Sequence, residues 1–115
     1  MNEKQLQRAM KLIAIAGDAK SMAIRAMSVA EDNHDIAEAK KILKEAQTTL
    51  HKAHNIQTAW MTAEMNGEKV EKTILLIHSQ DHFMAADIMM TVADKFIGLA
   101  EQLELEHAKG NEADS

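Results

Sequence analysis

The sequence predicts an all-α protein, and three observations carry that prediction. The chain of 115 residues contains no proline and only four glycines. Aromatic residues make up 3% of it, so side chains that favour β-sheets are scarce. Apolar residues recur at spacings of three and four in three long segments, which short polar runs separate. We therefore expect three long helices in an up-down-up hairpin.

The first helix is expected to begin after Asn2, whose side chain can cap it, and to end before the polar run EDNHD at 31–35. Its larger apolar residues form one stripe, which we interpret as a helix-packing seam: Leu6, Met10, Ile13, Gly17, Ile24 and Met27. A second stripe of small residues would let another helix approach closely: Ala16, Ala19, Ala23, Ala26 and Ala30. The helix is therefore expected to be buried on more than one side.

The second helix is expected to begin at Ile36 and to stop at Gly67. Its seam is heptad-like: Ala39, Leu43, Ala46, Leu50, Ala53, Gln57 and Trp60. The third helix is expected to open near Val70, with a seam of Ile74, Ile77, Asp81, Met84 or Ala85, Ile88, Val92, Phe96, Leu99 and Leu103. The apolar positions then cease, so the sequence predicts a single domain over 1–104 and a frayed or disordered tail over 105–115.

Three helices of roughly 30 residues would each be about 45 Å long. Rods of that length leave part of one another's outer faces uncovered, and here those faces carry apolar residues. Self-association is therefore expected, with a symmetric ring as the simplest closed form.

Composition excludes several classes of function. The net charge is -5, and lysine and arginine are interspersed with acidic residues, which argues against a nucleic-acid partner. The chain has no cysteine, so it has neither a disulfide framework nor a thiolate site. It also shows no apolar run long enough for a membrane span and no signal peptide, so we expect a cytoplasmic protein.

The stretch IHSQDHFM at 77–84 carries the candidate chemistry. Asp81 falls on the apolar seam, where a carboxylate costs several kcal/mol unless it is paired, protonated or bound to a cation. On a rotational symmetry axis several copies of Asp81 would converge, and Mg²⁺ or Ca²⁺ would relieve their repulsion. Asp81 is therefore a candidate metal ligand.

His78 and His82 lie one helical turn apart, beside this seam. A neutral imidazole can act as a nucleophile, and a second one can donate a hydrogen bond to an anion carried by the first. The pair also resembles half of a zinc site, but Ser79 stands where zinc proteases place a glutamate, and the sequence shows no third ligand. From the residues alone, a solvated helix edge in a non-catalytic interaction module remains open, as does a bundle that binds only a divalent metal.

Three motifs together resemble one family. The string HSQDHFM resembles the H-[small]-Q-D-H-[Leu/Phe]-M signature of the lactose/cellobiose/chitobiose-type enzyme IIA proteins of the phosphoenolpyruvate-dependent sugar phosphotransferase system. AGDAKS at 16–21 and AHNIQT at 53–58 resemble that family's motifs in its first and second helices. The resemblance covers nearly the whole chain up to Glu104.

This resemblance implies a homotrimeric nine-helix bundle. It also implies that His78 is phosphorylated, on Nε2, and that Asp81 of the three subunits shares a divalent metal, Mg²⁺ in our expectation, on the threefold axis. Gln80 and His82 become supporting residues around the active site.

The resemblance further implies a phosphoryl relay. The carrier protein HPr would donate the phosphoryl group, and the IIB component would accept it during uptake of a sugar through the membrane IIC component. A β-linked disaccharide such as cellobiose is the expected sugar. The motifs do not say which one, because a IIA component does not bind the sugar.

Overall fold

The structure is a computed structural model that describes residues 1–114, and over this range it contains three helices and no strand. Helix α1 spans Glu3–Asp32, α2 spans Ile36–Met65 and α3 spans Ile74–Asp114. The helices run up, down and up in a rod with extents of 68 × 22 × 19 Å. The predicted all-α three-helix hairpin is confirmed.

The start of α1, the turn before α2 and the end of α2 lie where the sequence predicts them. The Asn2 side chain caps α1 by accepting a hydrogen bond from the Gln5 backbone N–H at 2.8 Å. In the connection between α1 and α2, His34 has a positive φ of 53°, and the following residue, Asp35, caps α2. Gly67 follows α2 with a φ of 84°, a left-handed conformation that glycine adopts without a steric penalty.

Helix α3 begins at Ile74, four residues later than predicted. Thr73 caps it, because its Oγ1 accepts a hydrogen bond from the Leu76 N–H at 3.1 Å. The preceding loop is tied to α1: the Gln5 side chain donates to the Lys69 carbonyl at 3.2 Å, and the Met1 ammonium donates to the Glu71 carboxylate. That ammonium holds the pKa of Glu71 below its ordinary value. These contacts fix where α3 starts relative to α1.

Helix α1 turns its small residues, rather than its large ones, toward the other two helices. The alanine stripe is almost completely buried, together with Ala9 and Leu12. The larger stripe, predicted to be the packing seam, lies on the outside of the chain, where Leu6, Met10 and Ile24 are 39%, 56% and 43% exposed. The buried stripe of α1 consists mainly of alanine, which has no side chain beyond Cβ and lets α1 pack closely against α2 and α3, as predicted for this stripe.

On helix α3, too, the predicted packing seam lies on the outside of the chain. Its buried face is formed by Leu76, Ser79, Phe83, Ala86, Met90, Ala93 and Ile97. The seam predicted from Ile74 to Leu103 lies on the opposite, outward side, and Ile77, Met84 and Ile88 are all more than half exposed. The prediction that this row faces the core is therefore wrong for the single chain. The α2 seam is confirmed, since its residues are buried or half-buried.

The segment predicted to fray begins as a regular continuation of α3. Residues 105–114 are helical, and those from 105 to 111 are exposed; Ser115 lies outside the described residues. Helix ends that pack against nothing are where fraying begins. The predicted boundary between the domain and the tail at residue 104 therefore stays a prediction. Within residues 1–114 we find no helical stretch whose length and apolar character would carry it across a lipid bilayer.

Candidate functional site

The predicted histidine pair forms a direct contact on α3. Nε2 of His78 and Nε2 of His82 are 3.1 Å apart, and the two ring planes meet at 83° with centroids 4.5 Å apart. His78 is exposed and His82 is half-buried. The helical spacing of four residues places the two side chains one turn apart on the same face, close enough for their rings to make this contact.

A separation of 3.1 Å between two ring nitrogens requires one donor and one acceptor. In the neutral pair, one Nε2 carries the hydrogen and the other presents its lone pair. The accepting ring then carries its own hydrogen on Nδ1, which leaves Nε2 as a potential nucleophile. The pair can therefore supply an acceptor nitrogen and, one turn away, a hydrogen-bond donor.

The pair opens onto a shallow groove of about 470 Å³ between α1 and α3. The groove is lined by Lys20 from α1 and by His78, Asp81, His82, Met84, Ala85 and Ile88 from α3. Two aliphatic side chains and one methionine give it an apolar floor, and its polar groups come from both helices. Lys20 was not singled out from the sequence, although it belongs to the AGDAKS motif in α1.

Asp81 lies on the outward side of α3 and is exposed. In the single chain its carboxylate is solvated, so it does not carry the cost of burial that its place in the apolar row suggested. Among the side chains that the structure describes, no group of three histidine, aspartate or glutamate residues is arranged to hold a metal ion. Any site at Asp81 must therefore take further ligands from other copies of the chain or from solvent.

Gln80 and Ser79 point away from this groove. Gln80 is two positions from His78, which places it on the far side of the helix, and it is half-buried there. Ser79 is completely buried, and its hydroxyl donates a hydrogen bond to the Leu76 carbonyl at 2.6 Å. A small residue is required at this position because it packs in the interior of the hairpin. The supporting role predicted for Gln80 stays a prediction.

His51 and His54 form a separate cluster on α2. Their rings are stacked with centroids 6.2 Å apart, and the His54 ring lies 6.1 Å from that of Phe83. Both histidines are exposed. Phe83 lies on the α2 side of α3 and the groove opens toward α1, so these two histidines do not join His78 and His82.

Comparison with known proteins identifies the family. The sequence model described as "PTS system, Lactose/Cellobiose specific IIA subunit" matches residues 7–101. The lichenan-specific phosphotransferase enzyme IIA component of Bacillus subtilis (strain 168) is 38% identical over 103 residues, which are 90% of this chain and 93% of that protein. The cellobiose-specific EIIA component of Lactococcus lactis subsp. lactis (strain IL1403) is 34% identical over 95 residues, covering 83% and 81% of the two chains.

A solved structure supports the same assignment. The crystal structure of the PTS cellobiose specific enzyme IIA from Bacillus anthracis superposes with a TM-score of 0.85 at 36% sequence identity, covering 91% of this chain and 95% of that one. The resemblance seen in the three motifs is thus confirmed over most of the chain and in its fold. The chain belongs to the lactose/cellobiose-specific IIA family of the sugar phosphotransferase system.

Proposed function

We propose that this IIA component accepts a phosphoryl group from phosphorylated HPr on His78 and passes it to a cognate IIB component. The observation that carries the proposal is the 3.1 Å contact between the two Nε2 atoms at the edge of an open groove. When this contact opens, the accepting ring nitrogen presents its electron pair at the edge of the groove, and a hydrogen-bond donor lies beside it. This is the arrangement needed for a reversible phosphoryl acceptor on a protein surface.

In the proposed reaction the lone pair on Nε2 of His78 attacks phosphorus. A new P–N bond forms there while the P–N bond of the donor's phosphohistidine breaks, and the bonding electrons return to the donor nitrogen. The Nε2–H of His82, released from its contact with His78, turns to a phosphoryl oxygen. Positioning and charge stabilisation are sufficient for such a transfer between two imidazoles of similar basicity.

The names of the relatives suggest the sugar class. Lichenan and cellobiose appear in the names of the two curated relatives, and cellobiose in that of the solved structure. We propose that the relay serves uptake of a β-linked disaccharide such as cellobiose through a membrane IIC component. The sugar would be phosphorylated by IIB, so no sugar pocket is required in this chain.

Three copies of the chain are proposed to assemble through the outward apolar rows of α1 and α3. These rows leave Met10, Ile77 and Ile88 each more than half exposed, and a closed ring would cover them. Because Asp81 lies within the α3 row, three carboxylates would meet where three α3 helices pack together. Hard carboxylate oxygens suit a divalent cation such as Mg²⁺, and the three Asp81 side chains would hold it. The cation would supply charge neutralisation.

Replacing Asp81 with leucine is expected to leave the trimer intact and to make its assembly independent of metal, because the repelling carboxylates are gone. Sedimentation velocity of both proteins, with Mg²⁺ and with EDTA, measures this directly. Wild type should lose trimer in EDTA and Asp81→Leu should not. Loss of the trimer in Asp81→Leu under both conditions would contradict the proposed repulsion at the axis.

The relay itself is tested by incubating the protein with phosphoenolpyruvate, enzyme I and HPr. Intact mass spectrometry should show a gain of one phosphoryl group that is labile in acid and stable in base, as phosphohistidine is. Fragmentation should place it on His78, and addition of the cognate IIB should remove it. A protein that gains no phosphoryl group, or gains it on another residue, would overturn the proposal in favour of a non-catalytic helical module.

A further inference from the structure

Lys20 is the one feature of the groove that the relay described above leaves without a role. It is half-buried on α1 and lines the same groove as His78, His82 and Asp81. Among the described residues two lysines form ion pairs with carboxylates, Lys40 with Glu101 and Lys72 with Glu64, and the other nine lysines form none within 4.0 Å. Among the side chains that the structure describes, Lys20 has no such ion pair within 4.0 Å, although Asp81 lines the same groove.

The packing of α1 fixes where this lysine can reach. Its neighbours Ala16, Ala19 and Ala23 are completely buried in the hairpin. Lys20 therefore leaves the helix beside this buried stripe, where it is half-buried and lines the groove. The alanine stripe thus holds the base of Lys20 in a constant position relative to α3.

The charge of the groove changes greatly when His78 is phosphorylated. A phosphoryl group carries between about -1.5 and -2 charges near neutral pH, and here it would lie in a groove that already contains the Asp81 carboxylate. A neutral His82 can donate one hydrogen bond but contributes no positive charge. An unpaired ammonium group in the same groove is the element that would compensate the added negative charge.

We propose that Lys20 binds the phosphoryl oxygens of phosphorylated His78 and stabilises the phosphorylated state. This inference rests on the proposed function for the identity of the acceptor, and it adds a residue from a second helix to the site. Lys20 takes no part in bond breaking, and its ammonium group keeps its proton throughout. Its contribution is electrostatic, so arginine in its place should retain most of the effect.

The experiment compares wild type with Lys20→Met, which keeps the aliphatic stem, Lys20→Arg, which keeps the charge, and Lys11→Met as a matched control. Lys11 is an exposed lysine on the same helix that lines a different groove with Ile56. Each protein is phosphorylated with phosphoramidate, a small donor whose P–N bond breaks with release of ammonia as the bond to Nε2 of His78 forms. Mass spectrometry confirms the position, and the ³¹P chemical shift is then followed against pH.

A nearby cation favours the dianionic phosphoryl group, so it lowers the phosphoryl pKa in wild type. We expect Lys20→Met to raise the ³¹P titration midpoint by about 0.5 to 1 pH unit, a typical effect for one neighbouring charge at a partly exposed site. Lys20→Arg should restore the wild-type midpoint and Lys11→Met should not move it. In exchange with phosphorylated HPr, Lys20→Met should hold at least about three- to tenfold less of the phosphoryl group at equilibrium, because the lysine attracts the whole phosphoryl group and the pKa shift reports only its second charge.

The possible outcomes distinguish the proposed role of Lys20 from the proposed relay from HPr through His78. An unchanged ³¹P midpoint in Lys20→Met overturns the role of Lys20, even if transfer from HPr is normal. The same conclusion follows if Lys20→Met weakens self-association and leaves the midpoint unchanged. A shifted midpoint in protein that HPr does not label keeps Lys20 as a phosphoryl-binding residue and overturns the relay. Failure of both donors to phosphorylate His78 overturns both. A lower unfolding temperature shared by Lys20→Met and Lys20→Arg would reveal a structural role instead.

Discussion

His78→Ala is expected to abolish acceptance of a phosphoryl group, and His82→Ala is expected to slow it by roughly tenfold to a hundredfold. The first variant removes the attacking nitrogen. The second removes a donor 3.1 Å from that nitrogen, and a hydrogen bond to a charged group contributes about 1.5 to 3 kcal/mol, which corresponds to this range of rates. Quenched-flow labelling from phosphorylated HPr measures both rate constants.

Two further variants make this result specific. His82→Gln keeps a side-chain N–H donor, so it should recover part of the rate that His82→Ala loses. His51→Ala removes an exposed histidine from the separate cluster on α2 and should transfer at the wild-type rate. Labelling of His78→Ala at the wild-type rate would show that another residue is the acceptor. An undiminished rate in His82→Ala would remove the second histidine from the mechanism.

Ile88→Glu is expected to convert the proposed trimer into monomers. Ile88 is 60% exposed in the single chain and lies in the outward row of α3, two turns from Asp81. Three glutamates would be brought together at the threefold axis, and a buried unpaired charge costs about 3 to 5 kcal/mol. The concentration needed for assembly should therefore rise by more than about a hundredfold, which sedimentation equilibrium can measure.

The hairpin itself should survive this substitution, because the inner face of α3 is untouched and Ile88 is not part of the core. Helical content by circular dichroism should therefore stay close to that of wild type. Met61→Glu is the matched control: Met61 is 57% exposed but lies on α2, outside the α1 and α3 rows. A trimeric Ile88→Glu protein, or dissociation by Met61→Glu as well, would show that the chains associate through another surface.

Much of the fold is determined by residues that are close together in the chain, which explains why it could be predicted. Asn2 and Gly67 act within their own turns of chain, so their residue types were sufficient to place the start of α1 and the end of α2. The start of α3 was misplaced because Thr73 rather than an earlier residue caps it, and the loop before it is held by contacts with Met1 and Gln5. Those contacts join residues more than 60 positions apart.

The sequence predicted less well which face of each helix turns toward the core. Periodicity identifies the apolar stripes of a helix but does not say which of them faces which neighbour. On α1 the larger side chains indicated the seam, whereas the structure buries the alanines and leaves Met10 and Ile24 outside. On α3 the row that includes Asp81 was read as core-facing and lies outward. The buried stripe is mostly alanine on α1 but includes Leu76, Phe83 and Ile97 on α3, so side-chain size does not decide the inward face, and the packing of the assembled hairpin does.

By itself, then, the sequence determined the three helices, the cap at Asn2 and the stop at Gly67, the placement of His78 and His82 one helical turn apart, and the family to which the motifs belong. Only the tertiary structure decided which stripes are buried, that Ser79 is an interior residue, and that Gln80 turns away from the groove. It alone placed Lys20 and His78 in one groove, because these residues are 58 positions apart in the sequence and line the same groove only when α1 and α3 pack side by side. Neighbours along a helix follow from its period, but neighbours across helices depend on how closely the backbones can approach.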